Sequence, residues 1–234
     1  MDRITAGNDD FDPGARGEMM DTYRRDLVIY IHGKGGNASE SEHYAPLFPD
    51  CDVIGFDYKA QTPWESVEEF PKYYDTVSQG RGGVYLIAGS IGAYFSLCSL
   101  ADKPIEKAFF ISPVADMERL ISDMMMWAGV GEAELREKAE IPTTFGETLS
   151  WEYLSWVREH PVSWKIPTEI LYGERDHLQS AETISRFAEK SKAVVTVMPN
   201  GEHRFHTAEQ MRFLDEWLIK RKDDEYERDL RTQR

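Results

Sequence analysis

Short apolar stretches rich in β-branched and aromatic residues recur along the chain, and longer amphipathic stretches separate them. The apolar stretches are residues 27–31, 53–56, 84–88, 108–111, 169–172 and 194–198. They do not alternate strictly between apolar and polar positions, which is typical of strands covered on both faces. Helix-compatible stretches lie at residues 63–78, 91–100 and 181–191. The repeated strand–helix–strand order predicts an α/β fold with a doubly wound, mostly parallel sheet.

Residues 113–166 interrupt this alternation, because they show three helix-like stretches and no clear strand. The helix-like stretches are residues 117–128, 132–139 and 151–159. Since the segment lies between two predicted strands, we interpret it as a small helical lid inserted into the domain and covering one end of the sheet. The alternative is an ordinary long crossover connection.

The two ends of the chain differ in pattern. Residues 207–218 carry apolar side chains at Met211, Leu214 and Leu218, which is the spacing of an amphipathic helix. Residues 219–234 form a charged C-terminal tail, interpreted as a solvated, fraying helix end. Residues 18–24 are a candidate edge strand. We predict that residues 1–234 form a single domain.

Composition and charge narrow the functional classes. The 234 residues are 41% hydrophobic and 12% aromatic, which is typical of a globular protein. The net charge of −15 argues against binding nucleic acid or anionic membranes through general electrostatics. The start, MDRITAGNDDFDPG, has no apolar h-region, and no apolar run approaches the roughly 18–20 residues of a membrane span. With only Cys51 and Cys98, which we interpret as buried thiols, we expect a cytoplasmic protein.

One hydroxyl lies at the junction of a predicted strand and the following helix, in the segment LIAGSIGAYFS. The junction residue is Ser90, and the residues two positions to either side are the small Ala88 and Gly92. A strand that turns sharply into a helix needs small neighbours there and leaves the turn residue exposed above the sheet edge. Because a helix N-terminus favours negative charge, Ser90 is a candidate nucleophile. The alternative is that Ser90 merely caps the helix that begins at Ile91.

The first predicted strand ends in a glycine-rich segment, IHGKGGN, which contains Gly33 and Lys34. Three glycines in four residues allow backbone N–H groups to turn toward a bound oxygen. A phosphate-binding loop is the competing interpretation, but the segment lacks the spacing and the Lys-Ser/Thr ending of a P-loop. It is therefore a candidate oxyanion loop, in which His32 is interpreted as a brace.

Two further loops follow predicted strands at the same edge of the sheet. The segment GERDH places Asp176 after the strand at 169–172, and PNGEHRF places His203 after the strand at 194–198. Loops beyond the carboxyl ends of parallel strands all open on one side. Ser90, Asp176 and His203 can therefore converge with the glycine loop, in the order nucleophile, acid, base.

Other residues compete for two of these roles. Asp116, which follows the segment FFISP, is a rival acid. The rival bases are His177, His206 and His43. His203 and His206 also have the spacing HxxH, but no cysteine or carboxylate completes a zinc pattern, so we predict no metal.

The segments HGKGG, AGSIGA, YGERD and GEHRF together resemble those of the α/β-hydrolase superfamily, and the resemblance extends from Asp26 to Leu218. The nucleophile turn departs from the usual GxSxG because Ala88 replaces the first glycine, at a position that needs only a small residue. The resemblance implies the eight-stranded sheet pattern of that family, or a reduced form of it, with residues 113–166 as the lid.

The resemblance also implies a serine-hydrolase mechanism. His203 would take the proton of Ser90, whose Oγ would attack a carbonyl carbon, while Asp176 orients the imidazole. The backbone N–H groups of Ile91 and Lys34, with Gly33 beside them, would hold the oxyanion. Water would then release the acid, and no metal or organic cofactor is expected.

The sequence defines the substrate less sharply. Four of the six tryptophans and three consecutive methionines lie within residues 113–166. Trp127, Trp151 and Met124 are candidates to line an apolar pocket, although these side chains could instead only hold the lid on the sheet. We predict an esterase acting on a small acyl or aryl ester. Its alternatives are a thioesterase, peptidase, acyltransferase or C–C hydrolase on the same triad, or a catalytically silent protein that binds a small molecule or partner. The sequence does not define the oligomeric state.

Overall fold

The structure is a computed structural model that describes the backbone of residues 24–232 and the side chains of residues 24–222. Residues 18–23 of the candidate N-terminal strand lie outside the described residues. The strands are, in chain order, β1 (Asp26–Ile31), β2 (Cys51–Gly55), β3 (Val84–Gly89), β4 (Lys107–Ile111), β5 (Glu140–Pro142), β6 (Thr148–Ser150), β7 (Thr168–Gly173) and β8 (Val194–Met198).

Six of these strands form the main sheet, in the order β2-β1-β3-β4-β7-β8. Every neighbouring pair in this sheet is parallel, as the sequence predicts. The chain passes from β1 outward to β2, then returns across β1 and continues through β3 in the opposite direction. The carboxyl ends of β1 and β3 therefore flank a topological switch point, where open α/β sheets bind their ligands.

The helices are α1 (Pro63–Val77), α2 (Ser90–Ser99), α3 (Met117–Ala128), α4 (Glu132–Lys138), α5 (Trp151–Glu159), α6 (Ala181–Ser191) and α7 (Ala208–Thr232). Ser180 caps α6, since its hydroxyl accepts a hydrogen bond from the Thr183 N–H at 3.1 Å. Helix α7 extends well beyond its predicted end and includes most of the charged tail. In the part of the chain that the structure describes, none of the helices has both the length and the apolar character to cross a membrane.

The sheet separates two apolar layers, because successive side chains of each strand point to opposite faces. On β1, Leu27, Ile29 and Ile31 pack on one face with α1, α2 and α6. Val28 and Tyr30 pack on the other face, which α7 covers with Leu214, Trp217 and Leu218. This two-sided burial explains why the inner strands β1, β3, β4 and β7 are continuous apolar runs in the sequence.

Residues 113–166 pack on the first of these faces and share its core. Leu135, Leu149 and Leu154 are buried and belong to the same apolar cluster as the sheet residues. The three predicted helices are present as α3, α4 and α5. The segment also contains the antiparallel hairpin β5–β6, which the sequence analysis missed. Strands of three residues are too short for periodicity to reveal them.

Candidate active site

Ser90 occupies the sharp junction predicted from its small neighbours. Strand β3 ends at Gly89, helix α2 begins at Ser90, and Ser90 has a left-handed backbone with φ of 48°. Such a conformation costs a non-glycine residue about 1–3 kcal/mol and persists only where the surroundings fix it. Gly92 shows how tight the junction is, because a Cβ atom on it would lie 2.3 Å from the carbonyl oxygen of His32.

The neighbouring strand supports this junction. Gly89 of β3 lies opposite Ile111 of β4, so the next residues, Ser90 and Ser112, leave the sheet side by side. Ser112 is also left-handed, with φ of 42°. Beyond it the chain turns back, and the N–H of Val114 donates to the carbonyl oxygen of Ser90 at 3.1 Å. The start of the insertion thus helps to hold Ser90 in place.

A continuous chain of hydrogen bonds runs from Ser90 into the protein. The Oγ of Ser90 lies 2.8 Å from Nε2 of His203, and Nδ1 of His203 lies 2.7 Å from Oδ2 of Asp176. The Asp176 side chain is 0% exposed and that of His203 only 13%. In the neutral ring, a proton on Nδ1 donates to Asp176 and leaves Nε2 free to accept the Ser90 hydroxyl.

The loops after β7 and β8 approach closely enough to bring Asp176 and His203 together. A Cβ atom on Gly173 would lie 2.4 Å from the carbonyl oxygen of Glu202, so this contact requires glycine. The N–H of Arg175 also donates to the carbonyl oxygen of Gly201 at 2.7 Å. The two loops therefore form one hydrogen-bonded unit at the edge of the sheet.

The buried Asp176 carboxylate accepts hydrogen bonds from main-chain N–H groups. Its Oδ1 accepts hydrogen bonds from the N–H groups of Leu178 at 2.8 Å and Gln179 at 3.2 Å. Burial, together with the nearby Asp176 charge, raises the pKa of the Tyr172 hydroxyl. This hydroxyl donates to the carbonyl oxygen of Gln179 at 2.9 Å, which keeps the loop in place.

The glycine loop lies directly over the junction. A Cβ atom on Gly33 would lie 3.2 Å from the Cβ of Ser90, and the Gly33 carbonyl accepts from the Gly36 N–H at 3.1 Å in a tight turn. Lys34 follows Gly33, and Ile91 lies in the first turn of α2, where helical N–H groups have no partner within the helix. All three residues predicted for the oxyanion hole thus lie next to Ser90.

His32 contacts the glycine loop rather than the hydroxyl of Ser90. Its Nδ1 lies 2.9 Å from the Gly33 carbonyl, and its ring stacks on Tyr58 at 4.3 Å. The Tyr58 hydroxyl donates to the His32 carbonyl at 2.9 Å. Burial and the nearby Glu69 carboxylate raise the pKa of Tyr58 to about 12, so this donor keeps its proton. These contacts agree with the interpretation of His32 as a brace.

The rival residues have other partners or lie elsewhere. The Asp116 carboxylate caps α3 by accepting from the Arg119 N–H at 2.9 Å. His43 pairs with Asp215 at 2.7 Å, and Nδ1 of His206 lies 2.8 Å from the Arg204 carbonyl. His177 is exposed at the protein surface. Within the described residues, no three His, Cys, Asp or Glu side chains group as they would to bind a metal.

The tryptophans of the insertion have different surroundings. Trp164 is buried and donates from Nε1 to the Thr168 hydroxyl at 2.7 Å. Trp156 stacks on His160 at 4.2 Å, and Trp151 packs partly buried against the core. Trp127 is 49% exposed.

Two candidate pocket residues differ in how they pack. Met124 is partly buried against the core. The ring of Trp127 lies 6.2 Å from that of Phe145, in the loop between β5 and β6. The assignment of Trp127, Trp151 and Met124 to a substrate pocket stays a prediction.

Sequence reasoning missed two residues that contact this site. Gln179 binds the start of the insertion through its side chain, and Glu147 forms an ion pair with Lys34. The segment TTFGE, with Gly146 between short apolar stretches, was a turn signal that could have revealed the hairpin carrying Glu147. Nothing in the sequence around Gln179 distinguishes it from other polar loop residues.

Comparisons with known proteins give matches at the level of structure alone. No family profile and no curated protein sequence matches the chain. The esterase Est1E from Butyrivibrio proteoclasticus superposes with a TM-score of 0.70 at 16% identity, over 86% of this chain and 88% of that one. The mouse α/β-hydrolase domain-containing protein 10 gives a TM-score of 0.68 at 16% identity, covering 86% and 90% of the two chains. A Pyrococcus furiosus esterase gives 0.56 at 19% identity, covering 87% and 82%.

These similarities extend over most of this chain and most of each matched chain. The sequence identities are too low to carry substrate or activity from one protein to another. Together with the six parallel strands, the structural matches show that the chain has the fold of the α/β-hydrolase superfamily.

Proposed function

We propose that the protein is a serine hydrolase that cleaves small carboxylic esters through an acyl-enzyme on Ser90. One observation carries the proposal: the unbroken hydrogen-bond chain from Ser90 through His203 to the buried Asp176, at a left-handed strand–helix junction. A serine that only capped a helix would need neither the strained backbone nor the two partners.

In the acylation step, Ser90 loses its proton to Nε2 of His203 as Oγ bonds to the ester carbonyl carbon. The carbonyl π electrons move onto oxygen and form a tetrahedral oxyanion. Asp176 stabilises the imidazolium that forms and keeps its Nδ1–H aligned. When the oxyanion collapses, the bond to the alcohol breaks and His203 gives its proton to the leaving oxygen.

The oxyanion needs donors that are already oriented toward it. The candidates for that role are the N–H of Ile91, in the first turn of α2, and the N–H of Lys34, which directly follows Gly33. Loss of one such donor typically costs about 10²–10³-fold in kcat.

Deacylation repeats the same steps with water as the nucleophile. His203 takes a proton from water, the hydroxide oxygen bonds to the acyl carbon, and the Ser90 ester bond breaks with return of the proton to Oγ. The products are a carboxylic acid and an alcohol, and the chain's own residues supply every proton transfer.

The exposed apolar side chains of the insertion favour an ester with an apolar acyl or aryl group. Trp127 and Phe145 form an edge-to-face pair, and both are substantially exposed. Est1E, which shares the fold at 16% identity, has been solved with ferulic acid bound, so a feruloyl ester belongs among the substrates to test.

The test is labelling with a fluorophosphonate probe, followed by assays on p-nitrophenyl esters of graded chain length, a feruloyl ester, a thioester and an anilide. We expect Ser90 to be labelled and esters to be cleaved in preference to the anilide. Ser90→Ala should abolish labelling and lower kcat about 10⁵–10⁶-fold without a large change in stability.

Ser99→Ala in the same helix is the matched control, because the Ser99 hydroxyl donates to the Phe95 carbonyl within α2 and has no other partner among the described residues. It should label and turn over like the original protein. A Ser90→Ala variant that retained a tenth of the ester activity would overturn the proposal, and so would a folded protein that the probe does not label.

A further inference from the structure

An ion pair joins the glycine loop to the insertion across a separation of 113 residues in sequence. The Nζ of Lys34 lies 2.5 Å from Oε1 and 2.6 Å from Oε2 of Glu147. Both carboxylate oxygens therefore take part, and the lysine side chain is directed toward the β5–β6 hairpin. This ion pair is a direct polar contact between the glycine loop and the insertion.

The residue that supplies the carboxylate, Glu147, belongs to a turn that three hydrogen bonds close. The N–H of Thr143 donates to the Glu147 carbonyl at 2.7 Å, and the N–H of Glu147 donates to the Thr143 hydroxyl at 3.1 Å. The same hydroxyl donates to the Glu147 carbonyl at 2.7 Å. Phe145, which meets the ring of Trp127, lies within this turn. Glu147 and Phe145 thus belong to one hydrogen-bonded turn.

Lys34 belongs to the loop that contacts Ser90, the proposed nucleophile. Lys34 directly follows Gly33, whose Cβ position is 3.2 Å from the Cβ of Ser90. Without Glu147, the Lys34 ammonium would be an uncompensated cation on the loop that contacts Ser90. With Glu147, the same position is electrically neutral.

Folding stability gives little reason for this pair. The side chains of Lys34 and Glu147 are 69% and 40% exposed, and ion pairs that exposed contribute little to stability. A partly exposed charge beside a binding site does, however, change the affinity for charged ligands.

We propose that the Lys34–Glu147 ion pair determines charge specificity, so that the site selects esters without a charge on the acyl group. This inference rests on the proposed function, and it adds the substrate class. Glu147 cancels the attraction of Lys34 for anionic esters, and Lys34 cancels the repulsion that Glu147 alone would exert.

The experiment compares two esters of similar shape, p-nitrophenyl pentanoate and mono-p-nitrophenyl glutarate, which differ by a terminal carboxylate. The measured quantity is the ratio of kcat/KM for the anionic ester to that for the neutral one. Glu147→Gln should raise this ratio about 3- to 20-fold, since it leaves the Lys34 charge uncompensated. Lys34→Gln should lower it by a similar factor.

The double variant Lys34→Gln/Glu147→Gln should return the ratio to near its original value, which a general loss of activity would not do. Salt at about 1 M should bring all four ratios together, because it shortens the screening length to about 3 Å. The exposed pair Lys138–Glu134 on α4 provides the control, since Glu134→Gln and Lys138→Gln make the same charge changes in an ion pair that does not include the glycine loop.

Two failures can be told apart. If the original protein cleaves esters but the ratio stays constant in the single variants, or changes equally in the α4 controls, the specificity proposal is wrong and the proposed function stands. If a folded protein cleaves neither ester and takes no fluorophosphonate label, both are overturned together.

Discussion

The side chain of Gln179 holds the main chain of Asp116: its Oε1 accepts the N–H of Asp116 at 2.9 Å and the N–H of Ala115 at 3.0 Å. The main-chain N–H of Gln179 simultaneously donates to Oδ1 of Asp176. One buried residue therefore connects the loop of the proposed acid to the first residues of the insertion. The two aspartates that competed in the sequence analysis are neighbours of the same glutamine, in different roles.

Asp176→Asn should lower kcat about 10³–10⁴-fold, because the amide cannot hold the His203 ring in the productive tautomer. Asp116→Asn is the matched comparison. It keeps an oxygen that can cap α3 and loses only the charge, so it should cost at most about 1 kcal/mol in the free energy of unfolding, with little loss of kcat. Steady-state kinetics and thermal melts of both variants test this. Reversed effects would assign the acid to Asp116.

Gln179→Leu should destabilise the protein by about 1–3 kcal/mol, since it leaves the buried N–H of Ala115 and the partly buried N–H of Asp116 without their acceptor. The expected kcat loss is smaller than that of Asp176→Asn, because the main-chain bond from residue 179 to Asp176 remains. Chemical denaturation and ester kinetics measure the two effects separately. A stability equal to that of the original protein would show that this link is unimportant.

Gly92→Ala should impair folding severely, because its Cβ would lie 2.3 Å from the His32 carbonyl oxygen. We expect a loss above about 2 kcal/mol and, in any folded fraction, loss of the glycine-loop geometry. Gly131→Ala is the control, since a Cβ atom there has nothing within 4 Å and the backbone φ is −84°. If the melting temperatures of the two variants agreed, the close approach at the junction would be refuted.

Trp127→Ala and Trp164→Ala should have opposite signatures. Trp164 is 5% exposed and packs on Phe110, so its loss should cost about 3–5 kcal/mol in stability. Trp127 is half exposed beside Phe145, so its loss should leave stability nearly unchanged and impair long or aromatic esters more than acetate esters. One lost apolar contact changes selectivity about 10–200-fold. A uniform decrease across the ester panel would show that Trp127 only holds the insertion together.

Local patterns in the sequence were enough for most of the architecture. The apolar runs predicted all six strands of the main sheet. In the inner strands β1, β3, β4 and β7, burial on both faces leaves a continuous signal within five or six residues. The edge strands β2 and β8 are less buried and were still recognisable as apolar runs. The small residues around Ser90 predicted the strand–helix junction for a similar reason, since the close approach there is a constraint on neighbours in sequence. The hairpin β5–β6 escaped because three-residue strands carry no periodicity.

Pairings between distant residues were decided only by the tertiary structure. Asp116 and Asp176 both follow strands and look alike in sequence, yet the packing of Gly173 on the next loop brings Asp176 to His203 and leaves Asp116 to cap a helix. The partner of Lys34 lies on a turn 113 residues away, and of two tryptophans in the insertion Trp164 is buried while Trp127 is half exposed. Local sequence encodes which positions are apolar and where the chain turns. Which side chains meet follows from how the folded layers pack, and that depends on the whole chain at once.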